Sequence, residues 1–112
     1  MKLPRCENVV IEREKIADYL LDEAHPDNGG KALFFLSLGF TQEEWELLAA
    51  AFRKLAVDFS VARSVDSSHG LKYVVDGEIE TPSGKTAKVR TVWIVDRGLK
   101  IPRLVTAYPR DD

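Results

Sequence analysis

Leu71-Lys72-Tyr73-Val74-Val75-Asp76-Gly77-Glu78-Ile79-Glu80, then Thr81-Pro82-Ser83-Gly84-Lys85, then Thr86-Ala87-Lys88-Val89-Arg90-Thr91-Val92-Trp93-Ile94-Val95, reads as two strands folded back on a short turn. Apolar and polar residues alternate with a period of two on both arms, and the link is Pro/Ser/Gly chemistry. Register can be argued from the pairs each alignment makes. With Glu80 opposite Thr86, Glu78 meets Lys88 and Asp76 meets Arg90 on one face, while Tyr73 meets Trp93, Val75 meets Thr91 and Ile79 meets Ala87 on the other. A slip of one residue sets Val75 against Arg90 and mixes the faces. Charge and aromatic cross-strand pairs each favour the first alignment by about 0.2–1 kcal/mol.

Outward from this hairpin, further period-two segments span residues 59–65 and 103–108, with turns at 66–70 and 96–101. Short links between successive strands predict a four-stranded antiparallel meander. Upstream the period becomes helical. Trp45, Leu48, Ala49, Phe52, Leu55 and Ala56 form one stripe on a helix that ends near Asp58. Thr41 and Glu44 fit a capping box at its start, and Phe40 with Trp45 fits a hydrophobic staple. A short helix over about 31–38 stops at Gly39. An earlier one over 12–22 groups Ile16, Ala17, Tyr19 and Leu20 on its buried face, and residues 1–11 read as an extended lead-in. The expectation is one α+β domain over residues 1–112, its N-terminal helices packed on the Tyr73/Trp93 face of the sheet.

Composition narrows the function classes. Hydrophobic residues at 45% and charged residues at 30% are globular proportions, which excludes wholesale disorder. The single cysteine, Cys6, has no internal partner, and no apolar run reaches membrane-spanning or signal-peptide length, so a soluble cytoplasmic protein is expected. Net charge is −2, but its distribution is uneven. Residues 85–110 carry Lys85, Lys88, Arg90, Arg97, Lys100, Arg103 and Arg110 against Asp96, whereas the helical half is acidic. A basic sheet beside acidic helices follows.

Nucleotide, zinc, calcium and hydrolase signatures are lacking, and two histidines with one distant cysteine give no metal-ligand spacing, so neither cofactor nor metal is expected. Two functions compete. On the sheet face away from the helices, Val74, Val92, Ile94, Val105 and Ala107 are expected to cluster as an apolar patch. Either residues 1–11, with Val9, Val10 and Ile11, fold over such a patch, or a homodimer or another protein partner covers it. Alternatively, His25 and Lys31 beside the glycine-rich loop, with Arg90 and Thr106 on strands, offer the groups for RNA cleavage. A His and a Lys or Arg converging on one cleft can deprotonate a ribose 2′-hydroxyl and stabilise the phosphorane without a metal.

Several segments resemble a known family: Lys2-Leu3-Pro4, Asp18-Tyr19-Leu20-Leu21, His25-Pro26, Lys31-Ala32, Leu38-Gly39-Phe40-Thr41, and the ending Pro102-Arg103-Leu104-Val105-Thr106-Ala107-Tyr108-Pro109. They are similar to small bacterial domains of unknown function, of which similar domains end large polymorphic toxins. Helices followed by a meander also resemble the metal-independent ribonuclease toxins grouped with barnase, colicin D and RelE, and equally the cystatin-like architecture. The resemblance implies a toxin-related module that binds a partner or itself. Its alternative is a toxin-type endoribonuclease using His25, Lys31, Arg90 and Thr106.

Overall fold

A computed structural model describes residues 1–27 and 30–110. The fold is α+β: helical segments first, then a four-stranded antiparallel sheet in the order β1-β2-β3-β4. Strand β1 is Val61–Ser67, β2 Gly70–Glu80, β3 Thr86–Asp96 and β4 Arg103–Pro109. The β2/β3 ladder runs unbroken from Gly70↔Asp96 to Glu80↔Thr86 and contains Tyr73↔Trp93, Asp76↔Arg90 and Glu78↔Lys88, the register predicted from the sequence.

Helix α3, Trp45–Asp58, lies on the Tyr73/Trp93 face and buries Leu48, Ala49, Phe52, Leu55 and Ala56 against Val75, Ile79, Val89 and Trp93. Its first turn is less regular than the capping box implied. Thr41 Oγ1 accepts the Glu44 N–H at 3.2 Å, but the regular helix starts only at Trp45, after tight turns closed by Trp45 N–H to Gln42 O and Leu47 N–H to Glu44 O. Gly77 on β2 accommodates the crossover from α3 to β1, since a Cβ there would sit 2.7 Å from the Phe59 ring. Thr91 is a buried polar residue within this core. It donates to Val75 O and accepts from the Trp93 indole N–H, both at 2.8 Å, so the indole is satisfied without water.

The N-terminal segment joins the same side of the sheet. Lys2 bridges Ser60, Val10 bridges Arg103, and Leu3, Val9 and Ile11 enter the core; Arg53 Nη1 holds Val9 O at 2.7 Å. The next helix departs from expectation. After α1, Arg13–Lys15, the chain widens into a π-helix over Ile16–Leu20, where the Leu21 N–H reaches Ile16 O. The Gln42 side chain donates to Ala17 O, satisfying a carbonyl within the widened turn. Helix α2, Lys31–Ser37, is followed by Gly39 at φ 98°, the left-handed stop expected there.

Strand β4 brings the main correction. Leu104 pairs with Trp93, but Thr106 pairs with Val92 and Ala107 with Thr91, leaving Val105 as an extra residue in a bulge. An unbroken strand would place Val105 and Ala107 on the outer face. The bulge turns Ala107 inward, where it is fully buried in the core, and turns Thr106 and Tyr108 outward. Among the described residues, no helix is long and apolar enough to cross a membrane.

Candidate functional site

The π-helix, the start of α2 and the bulged end of β4 converge at one edge of the sheet. Lys31, the first residue of α2, donates from Nζ to the Tyr19 phenol oxygen at 2.7 Å and to Thr106 Oγ1 at 3.0 Å. Tyr19 comes from the π-helix, where its ring packs partly against the core while the hydroxyl reaches past it. The Lys31 ammonium also lies over two aromatic faces, 5.1 Å from the Tyr19 centroid and 5.9 Å from that of Tyr108. His25 stands edge-on to Tyr19 with centroids 5.0 Å apart. The loop ahead of α2 sets its position: Asp22 Oδ1 accepts the Ala24 N–H, and His25 Nδ1 accepts the Asp27 N–H at 3.1 Å.

Tyr108 extends the cluster along the outer sheet face. It lies opposite Arg90 on the adjacent strand. Arg90 is held by Asp76 through a two-pronged pair, Nε to Oδ1 at 2.7 Å and Nη2 to Oδ2 at 2.9 Å. That pairing raises the Arg90 pKa further above its ordinary value, so Arg90 is a fixed positive charge. Arg110 approaches the same carboxylate at 3.5 Å. Next to Tyr19 and His25 opens a cleft of about 660 Å³, walled by Glu12, Glu14, Lys15, Asp18, Asp27, Arg103 and Val105. Arg103 is fixed by a matching two-pronged pair with Asp96, at 2.7 and 3.1 Å.

Of the four residues singled out from the sequence as catalytic candidates, Lys31 and Thr106 are in direct contact. His25 joins them through Tyr19, whereas Arg90 stands farther along β3, paired with Asp76 and opposite Tyr108. Tyr19 and Tyr108 were missed. Tyr19 fits the apolar stripe of an ordinary helix, and only the π-turn reveals its hydroxyl as a site group; Tyr108 depends on the bulge.

The apolar patch expected on the outer face is reduced by the same geometry. Ala107 belongs to the core, and Ile94 is already 3% exposed within the chain. Val74, Val92 and Val105 are half-buried and interspersed with Asp76, Arg90, Thr106 and Tyr108. Among the described residues, no three His, Cys, Asp or Glu side chains group as metal ligands.

The chain matches, over residues 2–111, the family described as Domain of unknown function (DUF6883). It belongs to that family. No curated protein sequence matches it significantly. Among solved structures it is similar to a chain from a contact-dependent growth inhibition toxin–immunity protein complex of Klebsiella pneumoniae 342. Identity is 20%, the alignment covers 96% of this chain and 97% of that one, and the TM-score is 0.74. At that identity the likeness is one of fold.

Proposed function

We propose that this member of the DUF6883 family is a metal-independent endoribonuclease of toxin type. The observation that carries the reading is the contact of Lys31 with Tyr19 and Thr106, which joins three segments into one half-buried polar cluster beside His25. The likeness in fold to a chain of a toxin–immunity complex supports a toxin-system setting.

RNA cleavage by this route needs a base for the ribose 2′-hydroxyl, cationic groups for the phosphorane and an acid for the departing 5′-oxygen. The 2′-oxygen forms a bond to phosphorus and the P–O5′ bond breaks, leaving a 2′,3′-cyclic phosphate and a 5′-hydroxyl. Lys31 supplies both positive charge and a transferable proton. Arg90, held rigid by Asp76, supplies charge farther along the sheet, and His25 directs its outer N–H toward a phosphate oxygen. Thr106 fixes the lysine.

Purified protein incubated with total RNA in the presence of EDTA is expected to produce fragments ending in cyclic phosphate. Lys31→Ala, His25→Ala and Arg90→Ala should each lower the rate, with Lys31→Ala losing about a hundredfold or more. No cleavage by wild type across structured and unstructured RNAs refutes the reading; so does full activity in all three folded variants.

A further inference from the structure

The proton acceptor in this scheme still lacks a residue, and His25 does not fill the role. Its Nδ1 accepts the Asp27 N–H, so the neutral ring carries its hydrogen on Nε2 and presents a donor outward. Tyr19 is arranged the other way. Its oxygen accepts the short bond from Lys31 Nζ at 2.7 Å, and in the neutral form the hydroxyl faces the Asp27 carbonyl at 3.4 Å. A second ammonium, Lys15, lies 5.0 Å from the ring centroid, one helical turn away. The residue also sits in a π-helix, a rare turn that is frequently found at functional sites.

We infer that Tyr19 is the general base of this site: its ionised oxygen takes the proton from the ribose 2′-hydroxyl while Lys31 protonates the departing 5′-oxygen. The inference rests on the RNA-cleaving reading and assigns its missing group. Atoms and charges balance within the pair. One proton passes from O2′ to the Tyr19 oxygen and one from Lys31 Nζ to O5′, so the step ends with a neutral phenol and a neutral amine. These two are hydrogen-bonded at 2.7 Å, and the phenol returns its proton to the amine, restoring the phenolate–ammonium pair without solvent.

The surrounding charges act in both directions. Burial pushes the phenol up, but the hydrogen bond from Lys31, the nearby Thr106 hydroxyl and the charges of Lys31 and Lys15 outweigh it, and the group lies below the ordinary tyrosine value. Among the described residues, the carboxylates of Glu12, Glu14, Asp18 and Asp27 that line the same cleft work against an anionic phenol, while Arg103 in that lining works for it, and His25, Thr106 and Tyr108 lie nearby.

Absorbance at 295 nm, followed during alkaline titration, reads tyrosine ionisation directly, and cleavage of one defined RNA reads activity. Wild type should show one tyrosine ionising ahead of the others. Tyr19→Phe should abolish that early phase and slow cleavage about a hundredfold or more. Lys31→Met should return the phase to the ordinary tyrosine range. In wild type the cleavage rate should rise with pH up to the early ionisation and then level, and Tyr19→Phe should lack that limb. Cleaving wild type with a Tyr19→Phe variant within threefold of it overturns the base assignment and leaves the ribonuclease reading standing. An early phase that persists in Tyr19→Phe also overturns the assignment. Absence of cleavage by wild type removes both.

Discussion

Replacing Thr91 by Val tests the core hydrogen-bond relay with almost no change of shape. Thr91 and Trp93 are both 0% exposed, so no water replaces what the hydroxyl does. The hydroxyl accepts the Trp93 indole N–H and donates to Val75 O, each at 2.8 Å. Valine keeps the branched volume but leaves the indole N–H buried without an acceptor, a loss of about 1–3 kcal/mol, and weakens the solvation of a carbonyl. Better apolar burial of the new methyl offsets part of this. The expected net loss is about 2–3 kcal/mol, which for a domain of this size lowers Tm by roughly 8–12 °C. Urea denaturation followed by tryptophan fluorescence measures the change, with Thr91→Ser as the control that keeps the hydroxyl. Serine should lose about 1 kcal/mol through its missing methyl group. If Thr91→Val stays within about 0.5 kcal/mol of wild type at unchanged m-value, the reasoning fails, because the indole would have found another acceptor.

Gly77→Ala should destabilise by about 1–3 kcal/mol, since the added Cβ would meet Phe59 at 2.7 Å and Leu55 at 3.0 Å, and a thermal melt equal to wild type would contradict that packing. The hydrogen bond from Arg103 holds the Asp96 carboxyl below its ordinary value, so its contribution to stability is complete above the unfolded value of about 3.9 and is lost as pH falls through the lower folded value. Asp96→Asn should therefore be less stable than wild type at pH 7 and show a shallower loss on acidification, measured as Tm against pH.

Most of the fold could be read from residue patterns because each element repeats its signal. The β2/β3 register followed from about ten residues on each arm, where a slip would mismatch several pairs at once. The α3 stripe likewise persists over three turns. Single-residue insertions carry no such redundancy. The π-helix at Ile16–Leu20 differs from an α-helix by one residue in hydrogen-bond reach, and nothing in Ile16-Ala17-Asp18-Tyr19-Leu20 departs from an amphipathic pattern. The candidate site was therefore legible as a set of residue types, in His25, Lys31, Arg90 and Thr106, but its organising tyrosines were not.

The bulge at Val105 ties these gaps together. Arg103-Leu104-Val105-Thr106-Ala107-Tyr108 contains no glycine or proline to announce an irregularity, and its alternation suits either phase of a strand. Phase is decided by what each face can accept. With Leu104 inside, an unbroken strand would bury Thr106 and expose Ala107. Against Thr91 and Trp93 the core has already committed its polar valences to one another, so a second hydroxyl there would need a partner of its own. One extra residue resolves the conflict by letting both Leu104 and Ala107 face the core. The same step turns Thr106 outward, where Lys31 bonds to it, and sets Tyr108 opposite Arg90. Packing and site geometry thus depend on one local irregularity. Because β4 is an edge strand, the unpaired residue falls at the margin of the sheet, where bulges are most often tolerated.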